Sequence, residues 1–229
     1  MLRQKSRNDK FAFTLAEVLV TLGIIGVVAA MTVPSLLQDY QKKVYVTQLR
    51  KVCNIMTQAL LKFQVDKNAS NIAEAGLISQ DEIDNFVPNY FKLVLTCDDV
   101  AEPCFSDKYI TINSHSVITA IPKGFKSYLL ADGSAIAFKY EWIPAFPYPL
   151  VRVLVDLNGK SGPNVYGRDF FGMYIYTNAL IDVGLRISHN APFTKEERES
   201  ITGFCGDARY NNFDACFGKI LNDNWEMTY

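Results

Sequence analysis

The sequence predicts an α+β protein: one long N-terminal α-helix, apolar on every side in its first half and amphipathic in its second, laid on a C-terminal antiparallel β-sheet head. Three observations predict it. Residues 13–33 hold a single charged side chain, Glu17, in 21 positions. Apolar residues then recur at helical spacing as far as Phe63. Beyond Tyr109 they alternate, or fall in short runs broken by Gly, Pro and Asp-Gly turns. The 229 residues suffice for one domain with a sizeable core and an appendage.

The apolar segment comes first. As a helix, 21 residues span roughly 30 Å, the hydrocarbon thickness of a bilayer. Arg3, Lys5, Arg7 and Lys10 precede it, opposed by Asp9 alone. This bias favours a cytoplasmic N-terminus and a translocated remainder. Removing residues 1–12 takes four of the 23 basic residues and one of the 24 acidic ones, moving the net charge from −1 to −4. Gly23 and Gly26 are tolerated in a membrane helix and let neighbours approach closely. Three readings compete. A cleaved secretory signal fits the basic start, with Val28-Ala29-Ala30 as a small-residue cut, but the apolar run is long for it. An uncleaved signal anchor fits the length and leaves Glu17 unexplained, because a carboxylate in hydrocarbon costs about 3 kcal/mol unless partnered. The third reading supplies a partner.

The stretch FTLAEVLVTLGIIGVVAAMTVPSLL, from Phe13 to Leu37, closely resembles the N-terminal signature of type IV pilins and of type II secretion pseudopilins. The resemblance implies a prepilin peptidase that cuts between Ala12 and Phe13 and N-methylates the new terminus. Glu17 becomes the fifth mature residue and Pro34 the twenty-second, where many members have a helix-kinking proline. One departure is Ala12, where the family usually has glycine. In an assembled fibre the Glu17 carboxylate of one subunit would meet the Phe13 ammonium of its neighbour. Each would offset the other's desolvation, and the pair would fix the axial register. The alternative is a glutamate snorkelling to the headgroups.

The implied organisation is a leader at 1–12, a transmembrane assembly helix at 13–36, an amphipathic helix at 37–65 and a β-rich head at 66–229. The amphipathic stripe is Leu37, Tyr40, Val44, Leu49, Val52, Met56, Leu60 and Phe63, with Cys53 beside it as a buried thiol. Pro34 should bend or loosen the helix. Ser79 with Glu82 three residues on marks a short capped helix. Strands are expected at Tyr109–Asn113, on both sides of Asp132-Gly133, at Val151–Leu157 and at Phe171–Thr177, with a proline-rich loop at Pro144–Leu150.

The stretch VDLNGKSGPNVYGRDFF, Val155 to Phe171, resembles a loop of pilin-like proteins. Major pseudopilins bind calcium in a sheet-side loop, so the resemblance suggests Asp156, Asn158, Asn164 and Asp169 as ligands to Ca²⁺. The loop is no EF-hand, because its twelfth position is Gly167 rather than Glu. Turn chemistry is the alternative: Asn158-Gly159 and Gly162-Pro163 form turns without a metal, and four donors do not fill a shell of six to eight oxygens.

Of five cysteines, four form the close pairs Cys97/Cys104 and Cys205/Cys216. Such pairs are candidate disulfides, which would place the head outside the cytoplasm; five independent thiols are the alternative. The spacings are not C-x-x-C and neither His115 nor His189 is near a pair, which argues against a metal site. The tail Phe204–Tyr229 resembles the cysteine-bracketed tail of some pilin-like families, with Trp225 and Tyr229 as packing residues.

No H-E-x-x-H, phosphate loop, G-x-S-x-G or dinucleotide fingerprint is present. Asp98/Asp99 and Asp81/Glu82/Asp84 read as solvated acidic surface. No basic patch interleaved with aromatics suggests nucleic-acid binding. The expectation is a non-enzymatic minor pilin or pseudopilin, anchored by one span in the inner membrane with its head extracytoplasmic. It would be assembled with other subunits on an inner-membrane platform driven by an ATPase. The rival is a ligand-binding module on an uncleaved anchor; an enzyme released by a cut after Ala30 is a third reading.

Overall fold

A computed structural model describes residues 14–97, 102–112, 117–119, 121–142, 149–184, 189–205 and 214–229. Ala12, Phe13, Asp98, Asp99, His115 and most of the proline-rich loop lie outside the described residues. The chain divides into two units, residues 1–41 and 42–229.

Helix α1 runs Leu15–Asp66. Within the first unit its large apolar side chains, among them Leu15, Leu19, Ile25 and Met31, are exposed. The span apolar enough to cross a membrane has none of its residues buried in the chain's own fold. A helix apolar on every side and left uncovered requires a nonaqueous surrounding. The helix continues through Pro34, which withholds a backbone donor from the ladder.

In the second unit α1 buries Val46, Leu49, Val52, Cys53, Met56, Ala59, Leu60 and Phe63. Steps of three and four put these on one stripe, as predicted from Leu49 onward. The predicted stripe began too early, because Leu37 and Tyr40 are 54% and 65% exposed. Helix α2 (Gln80–Tyr90) starts at Ser79, whose side chain accepts the Glu82 N–H, and buries Ile83, Phe86 and Val87. The Phe86 ring meets Phe63 edge-on at 5.0 Å and so ties α2 to α1.

Among the described residues nine strands form one sheet: β1 (Leu93–Cys97), β2 (Lys108–Thr111), β3 (Val117–Thr119), β4 (Lys126–Leu130), β5 (Ala135–Glu141), β6 (Leu150–Asp156), β7 (Val165–Tyr166), β8 (Phe170–Ile175) and β9 (Ile181–Asp182). Their order is β1-β4-β5-β6-β8-β7-β2-β3, with β9 beside β8. The predicted hairpin is β4–β5, and Gly133 takes the positive φ of +87° its turn requires. The sheet is antiparallel except where the two-residue β7 pairs parallel with β2 and β8. That small strand sits inside the β6–β8 connection and splices the β2–β3 hairpin onto the main sheet. Central β6 is buried on both faces at Val153, Leu154 and Val155. Cys53 on α1 lies 4.0 Å from Met173 Sδ on β8, so α1 covers one face.

Helices α3 (Lys195–Thr202) and α4 (Ala215–Asn222) complete the head. A capping box joins Thr194 and Glu197 at the start of α3. Arg198 on α3 donates through Nε and Nη2 to the two oxygens of buried Asp182, at 2.7 and 2.6 Å, fastening α3 to β9. Both cysteine pairs are disulfides, Cys97–Cys104 and Cys205–Cys216. Cys53 is free and buried, and burial pushes its thiol pKa up to about 12. Trp225 packs on Phe217, with the Arg50 guanidinium over its ring. Replacing Cys205 and Cys216 by serine should remove about 3 kcal/mol of head stability, the chain-entropy value for so short a loop. Denaturant unfolding with and without the pair measures it.

Candidate functional site

The sole acid of the apolar segment is placed by the end of its own helix. Thr14 precedes α1, and its Oγ1 accepts the Glu17 N–H at 3.2 Å. In return Glu17 Oε2 accepts the Thr14 N–H at 2.9 Å and the Thr14 hydroxyl at 2.8 Å. This is a reciprocal capping box, and it sets a negative charge where the helix dipole is positive. Among the described residues no donor reaches Glu17 Oε1. One carboxylate oxygen is therefore held locally and the other is open. The T-x-x-E spacing of Thr14 and Glu17 is the sequence signal for this box. Ala12 and Phe13, on which the proposed cut and the free amine depend, lie outside the described residues; Pro34 sits within α1.

The loop between β6 and β8 does bring Asp156, Asn158, Asn164 and Asp169 together. Buried Asp156 accepts the Tyr109 hydroxyl on Oδ2 and the Asn158 N–H on Oδ1, the latter at 3.1 Å. Asp169 accepts the Val165 N–H on Oδ1 at 2.6 Å and the Asn164 N–H on Oδ2 at 2.9 Å. The Asn158 amide donates to Gly162 O at 2.8 Å and that of Asn164 to Lys160 O at 3.4 Å. Every carboxylate oxygen is thus committed to a hydrogen bond, and only the Oδ1 atoms of the two asparagines lack a donor. Four side-chain donors stand there against the six to eight oxygens of a Ca²⁺ shell. Among the described residues no three His, Cys, Asp or Glu side chains cluster to hold a metal.

What the loop does is gather the head. Gly167 has φ +83°, and a Cβ there would overlap Cys216 Sγ of the second disulfide. A Cβ on Gly159 would lie 3.4 Å from the carbonyl of Cys104 in the first. Tyr229 donates its hydroxyl to Gly167 O at 2.8 Å. Burial raises the pKa of Asp156 to about 8 against the hydrogen bonds from Tyr109 and Asn158, and burial raises that of Asp169 as well.

Residues 7–33 match the family model of the prokaryotic N-terminal methylation motif. The chain carries the type IV pilin and pseudopilin signature. The signature spans Arg7 and Lys10 at the end of the basic segment, Glu17 and most of the exposed apolar half of α1, and stops before the head. It implies a precursor processed by a prepilin peptidase and assembly with other pilin-type subunits, and it points to a structural protein. The fold agrees with it: a long N-terminal helix, apolar then amphipathic, and a mostly antiparallel sheet. No curated protein and no solved structure matches the chain.

Because Asp156 holds its proton more tightly in the folded state than its ordinary value of 3.8 allows in the unfolded chain, the folded state binds the extra proton between about pH 4 and pH 8. Its contribution to stability is present below that window and is lost as pH rises through it. Asp156→Asn keeps an acceptor for Tyr109 and should make the fall in unfolding midpoint between pH 5 and pH 8 shallower than in the wild type. An unchanged slope would show that Asp156 does not titrate there.

Proposed function

We propose that the protein is a structural subunit, a minor pilin or a pseudopilin, of a type IV pilus or a type II secretion pseudopilus. A prepilin peptidase cuts between Ala12 and Phe13, and the exposed apolar half of α1 holds the subunit in the inner membrane until it joins the fibre. The head lies outside the cytoplasm, a reading supported by the basic segment ahead of the span and by two disulfides in the head. The carrying observation is Glu17: a lone carboxylate, in register with the methylation motif, with one oxygen bound by Thr14 and the other without a donor among the described residues. Cleavage frees an amine four residues away in sequence. The open oxygen of one subunit then takes the Phe13 ammonium of the next, which neutralises both and sets the stagger between them. The Asp156–Asp169 loop keeps its shape without a cation in this reading.

Mass spectrometry of the protein from native membranes should find an N-methylated Phe13 as the first residue. An intact Met1 would assign the chain to an uncleaved anchor, and a start at Met31 to a secreted protein. Glu17→Ala should leave membrane insertion and leader removal unchanged and lower the amount in sheared fibres about tenfold or more, since an unpaired buried charge costs several kcal/mol. Adding Ca²⁺ or a chelator should leave the head's melting temperature where it is; a rise with Ca²⁺ that Asp156→Ala removes would restore the calcium site.

A further inference from the structure

A groove of about 520 Å³ runs along one face of the second half of α1, outside the methylation motif. Lys51, Ile55, Gln58, Ala59 and Lys62 form its helical wall, spaced by threes and fours, so the groove follows the helix for about three turns. Facing them are Tyr90, Lys92 and the Leu130–Asp132 turn at the end of β4. Its apolar lining is Ile55, Ala59, Leu130 and Ala131.

The rim is basic. Lys51 is neutralised by Asp132 at 2.7 Å. Lys62 lies 5.6 Å from the Tyr90 ring centre, and among the described residues neither Lys62 nor Lys92 has an acid within ion-pair distance. Two exposed ammonium groups therefore line a groove whose other lining is largely apolar.

We propose that this groove docks an acidic amphipathic helix of a different protein, its apolar stripe on the Ile55–Ala131 lining and its carboxylates against Lys62 and Lys92. This is the helix-in-groove mode, with charge setting orientation and partner choice. The chain's own helices do not supply the occupant. The apolar residues of α2 and α4 are buried in the head, and α3, though acidic, buries none and carries only Ile201 as a large apolar residue.

The test uses the full mature chain in phosphatidylcholine nanodiscs, with empty nanodiscs as the blank. The probes are two labelled synthetic helices of about five turns, each with leucines at i, i+3, i+4 and i+7. One is flanked by glutamates, the other by lysines, and binding is read by fluorescence anisotropy. The glutamate helix should bind the wild type about tenfold or more tightly than the lysine helix. Lys62→Glu with Lys92→Glu should invert that order, and both residues are exposed, so the fold is kept. Ala131→Trp, filling the groove from an exposed position, should abolish binding of both. Equal binding of the two peptides, no binding of either, or binding indifferent to Ala131→Trp would overturn the proposal. Self-association of the wild type in detergent that Ala131→Trp removes would give the groove to a second copy and overturn it too.

Discussion

A carboxylate within a helix bound for hydrocarbon has to be met by donors, because leaving it bare costs about 3 kcal/mol and water is not at hand. Glu17 is the only such group among residues 13–33. Half of its need is met at once by Thr14, whose backbone and hydroxyl both donate to Oε2. The capping box does two things together: it ends the helix with satisfied donors, and it holds the carboxylate in one orientation. The other oxygen is left for a donor from outside the described chain. In the proposed fibre that donor is the amine freed four residues upstream, so a single proteolytic event creates the partner that the glutamate lacks.

The head solves a different problem with the same economy of polar groups. Its sheet changes from antiparallel to parallel pairing across the β6–β8 connection, and the buried parts of that connection must satisfy their own backbone. Asp169 does this by accepting two consecutive N–H groups and Asp156 by accepting the Asn158 N–H, while its other oxygen takes the Tyr109 hydroxyl from β2. The glycines at 159 and 167 allow the disulfide-bonded segments to close over the loop, where a Cβ would intrude. Carboxylates used in this way hold the turns of the loop.

The long helix, the α2 cap and strands β4, β5, β6 and β8 were legible in the sequence because each carries a strong local signal: a 3.6 period, a Ser-x-x-Glu start, an Asp-Gly turn or a continuous run of Val and Leu. What was not legible depends on distant partners. β7 is two residues long and exists only because β2 and β8 flank it. β1 is an edge strand with Val94 and Leu95 exposed, so it lacks the alternation that marks a half-buried strand. α3 has Ile201 as its one large apolar residue and is held by the Arg198–Asp182 fork rather than by an apolar stripe. At the candidate site the acid, the motif and the proline were visible, and so was the company of Asp156 with Asp169. Which oxygens each would spend, and on what, follows from folded geometry alone.

In the proposed fibre, Glu17 of one subunit is neutralised by the Phe13 amine of another. Solid-state NMR on fibres assembled from two pools, one with ¹⁵N in Phe13 and the other with ¹³C in the Glu17 carboxyl, measures it directly. An intersubunit distance within about 4 Å, the reach of an ion pair, is the predicted result. The account is contradicted if the two nuclei come no nearer than neighbouring helix axes, about 8–10 Å apart, while Glu17 stays bound to Thr14 alone.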